Sequence, residues 1–204
     1  MPSAITLWGE GLEGVGRDII EVSFGLWGRN NFGIEFRSFL FNLVQGKLYL
    51  NNVLHRIRPE ENDGKCTFCR KAKIKELVER GIGEDRPEYG YYLGLIESET
   101  LSHIFWECEI IQPLVQQCYR WMSGNVNGVI DKDTFMIGKE GISRKITMCD
   151  VTWKHYVKFF VYQCRLRKMI PTFGSLRYEL EGFGTSTQKM KWEEYRVWLS
   201  LEEE

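Results

Sequence analysis

Apolar side chains recur at every third or fourth position in several stretches of this chain, which is the spacing of one face of an α-helix. The first stretch covers residues 34–45 and stops before Gly46, a residue suited to the position after a helix end. A shorter stretch begins with Asn51 and Asn52, either of which can cap a helix N-terminus, and Pro59 ends it. The two stretches predict a helical hairpin, with a helix-turn-helix as the less common alternative.

Two longer helices are predicted further along the chain. Residues 111–122 carry an apolar stripe with Pro113 in the first turn, and residues 151–169 carry another that Pro171 ends. Residues 135–138 predict a short apolar strand or turn, and an amphipathic helix is expected around Trp192 and Trp198 near the C-terminus. The pattern as a whole predicts a mainly α-helical fold.

The same pattern divides the chain into three parts. Residues 1–32 are rich in Gly and Trp and are expected to form an extension packed on the body, with a short helix near residues 17–24. Residues 33–123 are expected to hold the helical hairpin and a Cys/His module. Residues 124–204 are expected to form a helical C-terminal region with a basic helix.

Composition narrows the class of protein. With 204 residues, 43% of them hydrophobic and 14% aromatic, the chain can bury a sizeable core. No apolar run approaches the ~20 residues that span a bilayer, and the N-terminus does not resemble a secretory signal. Six cysteines without such a signal favour a reducing compartment, the nucleus or the cytoplasm, and no membrane partner is expected.

Four residues have the spacing of a metal site. Two residues lie between Cys66 and Cys69. A further 33 residues lie between Cys69 and His103, which Cys108 follows. Three thiolates and an imidazole suit a tetrahedral Zn2+, and four protein ligands leave no open position for catalysis. Free buried cysteines are the alternative, and a disulfide pairing is disfavoured. Residues 70–97 are expected to form a long loop insert, with a short helix at 73–80 and a loop or hairpin at 81–94.

The sequence around these ligands resembles the zinc-binding (CCHC) region at the C-terminus of non-LTR, LINE-type retrotransposon reverse transcriptases. The resemblance spans about residues 33–180 and is carried by residues 36–46, 50–57, 66–69, 99–108, 113–114, 135–138 and 156–171. The insert at residues 70–97 is longer and more charged than the family usually has. The resemblance implies Zn2+ at Cys66, Cys69, His103 and Cys108 in a mainly helical module with a zinc knuckle.

The resemblance also implies a function. The module is expected to bind template RNA, and possibly target DNA, during target-primed reverse transcription, with the reverse-transcriptase body of the same element as its protein partner. The polymerase and endonuclease centres would then lie elsewhere in a parent polyprotein. No catalytic role and no small-molecule substrate are expected for this chain.

Basic residues fall in two groups that suggest phosphate contacts. Lys154, Lys158, Arg165 and Lys168 lie within about 80° of one another on a helical projection, which predicts a basic ridge beside the buried stripe. Arg167 adds a charge beside it. The second group, next to the first cysteine pair, consists of Arg70, Lys71 and Lys73. Phosphate contact and a solvated loop face are both open for that group.

Two other interpretations were weighed against nucleic-acid binding. Asp131, Asp133 and Lys139 could serve a nuclease, but they lie in a turn-rich run without a convincing strand. The competing hypothesis is a structural or protein-interaction module with no nucleic-acid role, which would pack on a partner through Trp192 and Trp198.

Overall fold

The computed structural model describes residues 32–136 and 144–186. Side chains are described for residues 32–136 and 151–182. Over these residues the protein is mainly helical and has no β-strand, which confirms the predicted fold class. None of the described helices is long and apolar enough to cross a membrane.

Eight α-helices and one π-helical turn make up the described part of the chain. The π-helical turn covers His103–Glu107. The α-helices are α1 Ile34–Val44, α2 Asn51–Ile57, α3 Thr67–Glu79, α4 Pro87–Gly94, α5 Gln112–Ser123, α6 Lys132–Met136, α7 Arg144–Leu166 and α8 Phe173–Ser186.

These elements belong to two compact units. One contains the described residues up to Leu48, Val115–Phe160 and those from Thr172 onward, and the other contains Tyr49–Leu114 and Val161–Pro171. We call them the first unit and the second unit. Each unit is built from separate stretches of the chain. The division of the chain expected at residues 32 and 123 stays a prediction.

The core of the first unit is rich in aromatic rings. α1 turns its predicted stripe inward, and the Phe36 ring lies 5.7 Å from that of Tyr156 and 5.3 Å from that of Phe159. The fully buried Trp153 lies 6.2 Å from Phe135, ring centroid to ring centroid. Such ring pairs contribute roughly 0.5–1.5 kcal/mol each beyond the burial of their area.

The end of α1 confirms the role predicted for Gly46. Its φ of 62° is left-handed, its N–H donates to the Leu43 carbonyl at 3.0 Å, and the Lys47 N–H donates to the Asn42 carbonyl at 2.7 Å. This pair of hydrogen bonds is a Schellman motif, which satisfies carbonyls that the helix leaves without a partner.

Two short segments are helical where the sequence predicted otherwise. Residues 81–94 were expected to form a loop or hairpin, but Pro87 opens α4, because its fixed φ suits the first helical position. The expected strand or turn at residues 135–138 is also wrong over its described part. Asp131 accepts hydrogen bonds from the N–H and the hydroxyl of Thr134 at 2.8 and 2.7 Å, and this N-cap starts α6.

α7 is longer than predicted and ends differently. It begins at Arg144 rather than near residue 151, and it stops at Leu166, well before Pro171. Lys168 has a left-handed φ of 52°, and its N–H and that of Met169 donate to the Arg165 and Cys164 carbonyls. This is a second Schellman motif, with lysine in the position that glycine usually takes.

Several sequence-based predictions lie outside the described residues. These are the short helix near residues 17–24, the amphipathic helix around Trp192 and Trp198, and Lys139 of the nuclease hypothesis.

Candidate metal centre

The four predicted ligands come together in the second unit. Their ligand atoms all lie within 4.8 Å of one another, so Cys66, Cys69, His103 and Cys108 could hold a metal ion. Cys69 Sγ lies 3.5 Å from Cys108 Sγ and 3.4 Å from His103 Nε2, and Cys66 Sγ lies 3.9 Å from Cys108 Sγ. A tetrahedral ion with Zn–S and Zn–N bonds of ordinary length separates its ligand atoms by about 3.6–3.8 Å. The cluster therefore has nearly the dimensions that zinc requires.

The first cysteine pair is fixed by the start of a helix. Cys66 is the N-cap residue of α3, and Cys69 lies in its first turn. Cys66 also donates its N–H to the Glu97 carbonyl at 2.9 Å, and Glu99 donates to the Gly64 carbonyl at 2.8 Å. These two bonds form an antiparallel bridge that brings the chain leading to His103 alongside the first cysteine pair.

The second ligand pair depends on the π-helical turn. His103 opens the turn and Cys108 follows it, with the Cys108 N–H donating to the His103 carbonyl at 2.8 Å. In an α-helix two residues five apart point about 140° away from each other, at roughly 100° per residue. The wider π-helical turn brings them to one side, and such single turns occur often at functional sites.

A carboxylate orients the imidazole. His103 Nδ1 lies 2.8 Å from Glu97 Oε2, while its Nε2 faces the thiols. When Nδ1 carries the proton, the Nε2 lone pair is left for a metal, as in the carboxylate–histidine–metal arrangement. Sequence reasoning missed Glu97, because an acidic residue six positions before a ligand histidine is not a distinctive pattern.

The thiols affect one another's ionisation. Hydrogen bonds from the Cys66 and Cys69 thiols, with the N–H groups of Ile110 and Ile111, lower the pKa of Cys108 to about 4. The hydrogen bonds that Cys69 makes with Cys108 and Cys66, together with its burial, raise the pKa of the Cys69 thiol far above its ordinary value. The two shifts have opposite directions because the hydrogen bonds that stabilise the Cys108 thiolate oppose ionisation of the Cys69 thiol. A divalent cation would allow all three to ionise.

The cluster is closed to solvent on most sides. Cys66 and Cys108 are fully buried, His103 is 3% exposed, and Cys69 is partly buried. Among the described side chains, which belong to residues 32–136 and 151–182, this is the only such group of His, Cys, Asp or Glu. Cys118, which lies on the apolar stripe of α5, is buried in the first unit and takes no part. Four protein ligands without an open position suit a structural ion rather than a catalytic one.

The expected basic ridge on α7 requires correction. Lys154, Lys158 and Arg165 are 3%, 1% and 8% exposed, so they do not form a surface for phosphates. Lys158 Nζ donates to the carbonyls of Phe135 and Met136 at 3.1 and 3.0 Å. These carbonyls lie at the C-terminal end of α6, where the helix dipole favours a cation. On the helical projection the basic residues lie beside the buried apolar stripe. A projection shows which residues share a side of a helix, but it does not show that the rest of the protein covers that side as well.

The remaining predicted basic residues lie on the second unit, together with the metal cluster. Arg167 and Lys168 are exposed just after α7, and the exposed Lys71 donates its Nζ hydrogen to the Lys168 carbonyl at 2.8 Å. We call Lys71, Arg167 and Lys168 the basic turn. Arg70 is paired with Asp63, and Lys73 Nζ lies 2.6 Å from Glu76 Oε2. Such partly exposed pairs are weak and exchange partners readily.

A groove of about 390 Å³ opens beside the cluster on the second unit. The ligands Cys69 and His103 lie at its inner wall. The rest of the lining combines apolar side chains, among them Leu95, Ile96 and Ile110, with four carboxylates, Glu76, Glu97, Glu107 and Glu109, and one cation, Lys73, which pairs with Glu76. The face of the cluster that reaches solvent is therefore acidic.

The two acids of the nuclease hypothesis have structural roles here. Asp131 caps α6, and Asp133 lies in the first turn of that helix.

His155 on α7 is not part of that hypothesis. Its side chain is buried, and this burial, with Lys158 and Lys154 nearby, lowers its pKa well below the ordinary value of 6.5.

No protein-family model matches this chain, and no curated protein or solved structure matches it significantly. The resemblance to LINE-type reverse transcriptases therefore rests on the motifs of the sequence.

Proposed function

We propose that this chain is the zinc-stabilised nucleic-acid-binding module of a LINE-type reverse transcriptase. It would bind template RNA, and possibly target DNA, during target-primed reverse transcription. The observation that carries the proposal is the Cys3His cluster, whose members match the family motif in residue type and order and whose atoms lie at nearly tetrahedral distances. Soft thiolates with one imidazole favour Zn2+ among common divalent ions.

The role of zinc in this proposal is structural. With Cys66, Cys69, His103 and Cys108 all bound, the ion would join the start of α3 to the π-helical turn. Its binding free energy would then add to the folding free energy of the second unit. The polymerase and endonuclease centres would lie in other parts of the same polyprotein, which would act in the nucleus and the cytoplasm.

The basic turn supports a nucleic-acid partner. Lys71, Arg167 and Lys168 are exposed and belong to the same unit as the metal cluster. Lysine and arginine side chains that contact phosphates release counterions, so affinity falls steeply as salt rises. Lys71 on α3, together with the two cations that follow α7, is suited to holding a phosphate backbone rather than reading bases.

Fluorescence anisotropy with a structured RNA hairpin and a matched DNA duplex, at several salt concentrations, tests this function. Replacing Lys71, Arg167 and Lys168 with alanine should weaken RNA binding and reduce the salt slope by roughly 2–3, at about 0.7–0.9 per phosphate contact. The matched control replaces Arg58, Lys75 and Arg80, which are exposed residues of the same unit. Wild-type protein that binds neither nucleic acid would refute the proposal.

The acidic groove favours the second candidate, a structural or protein-interaction module. Its four carboxylates and apolar floor suit a partner segment that carries Lys or Arg beside an apolar residue. This candidate predicts metal binding without RNA binding. The wild type and the variants of the basic turn would then all fail to bind RNA.

A further inference from the structure

Glu99 is a charged residue in the interior of the second unit. Its side chain is 0% exposed. Removing a carboxylate from water costs free energy, and hydrogen bonds together with a counter-charge are needed to offset that cost. Its Oε1 accepts hydrogen bonds from the Asn51 N–H at 2.9 Å and from Arg165 Nε at 2.8 Å. Its Oε2 accepts one from the Thr67 N–H at 2.8 Å. The carboxylate is thus fully engaged.

This one carboxylate caps two helices. Asn51 and Thr67 are the first residues of α2 and α3, and the N-cap residues Leu50 and Cys66 supply no side-chain cap. A helix N-terminus leaves N–H groups without partners and carries a partial positive charge, so a carboxylate is favoured there. Glu99 therefore performs, from a distant part of the sequence, the function that a local Ser, Thr, Asp or Asn usually performs.

The capped residue of α3 lies inside the metal motif. Thr67 follows Cys66 directly and precedes Cys69 by two positions, and Glu99 itself precedes His103 by four. The Asn51 amide adds a second connection, because its Nδ2 donates to the Lys65 carbonyl at 2.7 Å and to Thr67 Oγ1 at 3.1 Å. Glu99 thus connects the chain that carries the first ligand pair to the chain that carries the second.

Arg165 extends the network to the end of α7. Besides its contact with Glu99, it donates to Asn51 Oδ1 at 2.9 Å. It lies two and three residues before Arg167 and Lys168. The segment of residues 161–171, which presents two members of the basic turn, is therefore held by the carboxylate that orders the metal centre.

We propose that Glu99 is a positioning residue of the metal centre, and that it couples the centre to the segment of residues 161–171 through Arg165. Glu99 does not itself touch the thiols or the imidazole in this role. It fixes the start of α3 relative to the π-helical turn, so the ligands are arranged before the ion binds. This inference rests on the metal binding included in the proposed function.

Glu99→Gln keeps the shape of the side chain and removes its charge. Zinc affinity, measured by competition with a chromophoric chelator, should fall about 10- to 100-fold, the range for outer-shell partners of metal ligands. At saturating Co2+ the thiolate-to-metal absorption bands should stay unchanged, because all four ligands remain. The amides of Arg167, Lys168 and Met169 should exchange faster with deuterium in the metal-loaded variant than in the loaded wild type. Glu61→Gln, which alters an exposed carboxylate of the same unit, is the matched control and should match wild type.

A second variant keeps the inference testable if Glu99→Gln does not fold. Arg165→Gln leaves both helix caps in place and should show the faster exchange at residues 167–169 with a smaller loss of zinc affinity. A folded Glu99→Gln protein with zinc affinity within twofold of wild type would overturn the inference, and so would unchanged exchange in both variants. Wild-type protein that binds no metal would refute the metal centre as well, whereas metal binding without RNA binding would refute only the nucleic-acid part of the proposed function.

Discussion

Two places with buried polar side chains differ in what surrounds them. In the second unit three thiols and an imidazole face one another, an arrangement that could hold a metal ion. In the first unit the Lys158 ammonium is equally buried, but two backbone carbonyls already receive its hydrogen bonds. Three thiols with an imidazole form a set of ligands for a cation, whereas the ammonium already has its partners.

The difference shows what identifies a binding site among buried polar groups. Burial of reactive or charged residues is common to both places, so it does not distinguish them. The distinguishing property is whether the protein itself supplies the complementary charge. By this criterion the Cys/His cluster is a site for a ligand, and Lys158 is part of the structure.

The largest effect is expected when one of the four proposed metal ligands is replaced. Cys108→Ser removes one thiolate, and it should abolish stoichiometric metal binding and destabilise the second unit by several kcal/mol, because structural zinc contributes on the order of 10 kcal/mol to folding. Chemical denaturation followed by a probe in that unit, with metal analysis of the same sample, measures both effects.

The matched control is Cys118→Ala, which alters a buried cysteine of the first unit. It should keep a full complement of metal even though its core packing is weakened. Loss of metal from this control, or retention of metal by Cys108→Ser, would contradict the assignment of ligands.

Removing Lys158 should also be costly, but for a different reason. Lys158→Ala leaves the Phe135 and Met136 carbonyls without their donor in the interior, and we expect a loss of about 3 kcal/mol in unfolding free energy. Urea denaturation measures this. Lys75→Ala, at a side chain that is 80% exposed, should change stability by less than about 0.5 kcal/mol. Equal effects of the two substitutions would show that Lys158 is not buried as described.

Acid should destabilise the protein through His155. Burial, with Lys158 and Lys154 nearby, lowers the pKa of this imidazole well below 6.5. Above the unfolded pKa both states are neutral and stability is intact. As the pH falls below about 6.5 the unfolded state takes up a proton that the folded state refuses, so stability drops by up to about 1.4 kcal/mol per pH unit. His155→Gln should flatten the dependence of unfolding free energy on pH between 6.5 and 5, and an unchanged slope would contradict this.

The smallest expected effect concerns the left-handed residue at the end of α7. Glycine adopts the conformation of Lys168 without strain, so Lys168→Gly should stabilise the protein by about 0.5–1 kcal/mol. The same change removes a charge from the basic turn and should weaken RNA binding. Calorimetry and anisotropy on one preparation would show the two effects with opposite signs. A destabilised variant would argue against the Schellman motif.

A structural feature could be predicted from the sequence when the contacts that determine it join residues close together in the chain. The helical stripe of α1 and the turn at Gly46 are local patterns, and both were predicted correctly. The spacing of Cys66 and Cys69 is also local, and the two cysteines do lie in one cluster that could hold a metal ion. The burial of Lys158 was not predictable, because a helical projection shows which residues share a face and not what covers that face.

The partners of the metal ligands were missed for a related reason. Glu97 and Glu99 lie next to the second half of the motif, but their hydrogen bonds reach His103 and the first residues of α2 and α3. Such contacts arise only once the two halves are brought together. A bridge at Lys65 and Ser98, which no periodicity in the sequence indicates, brings them together.

The most direct test of the account is the metal content of the intact protein, purified without a metal-binding tag and measured by plasma mass spectrometry. The account predicts one zinc per chain, which Cys66→Ser, Cys69→Ser, His103→Asn and Cys108→Ser each reduce. A metal-free protein that melts cooperatively, and whose melting temperature does not change on addition of zinc or chelator, would contradict it.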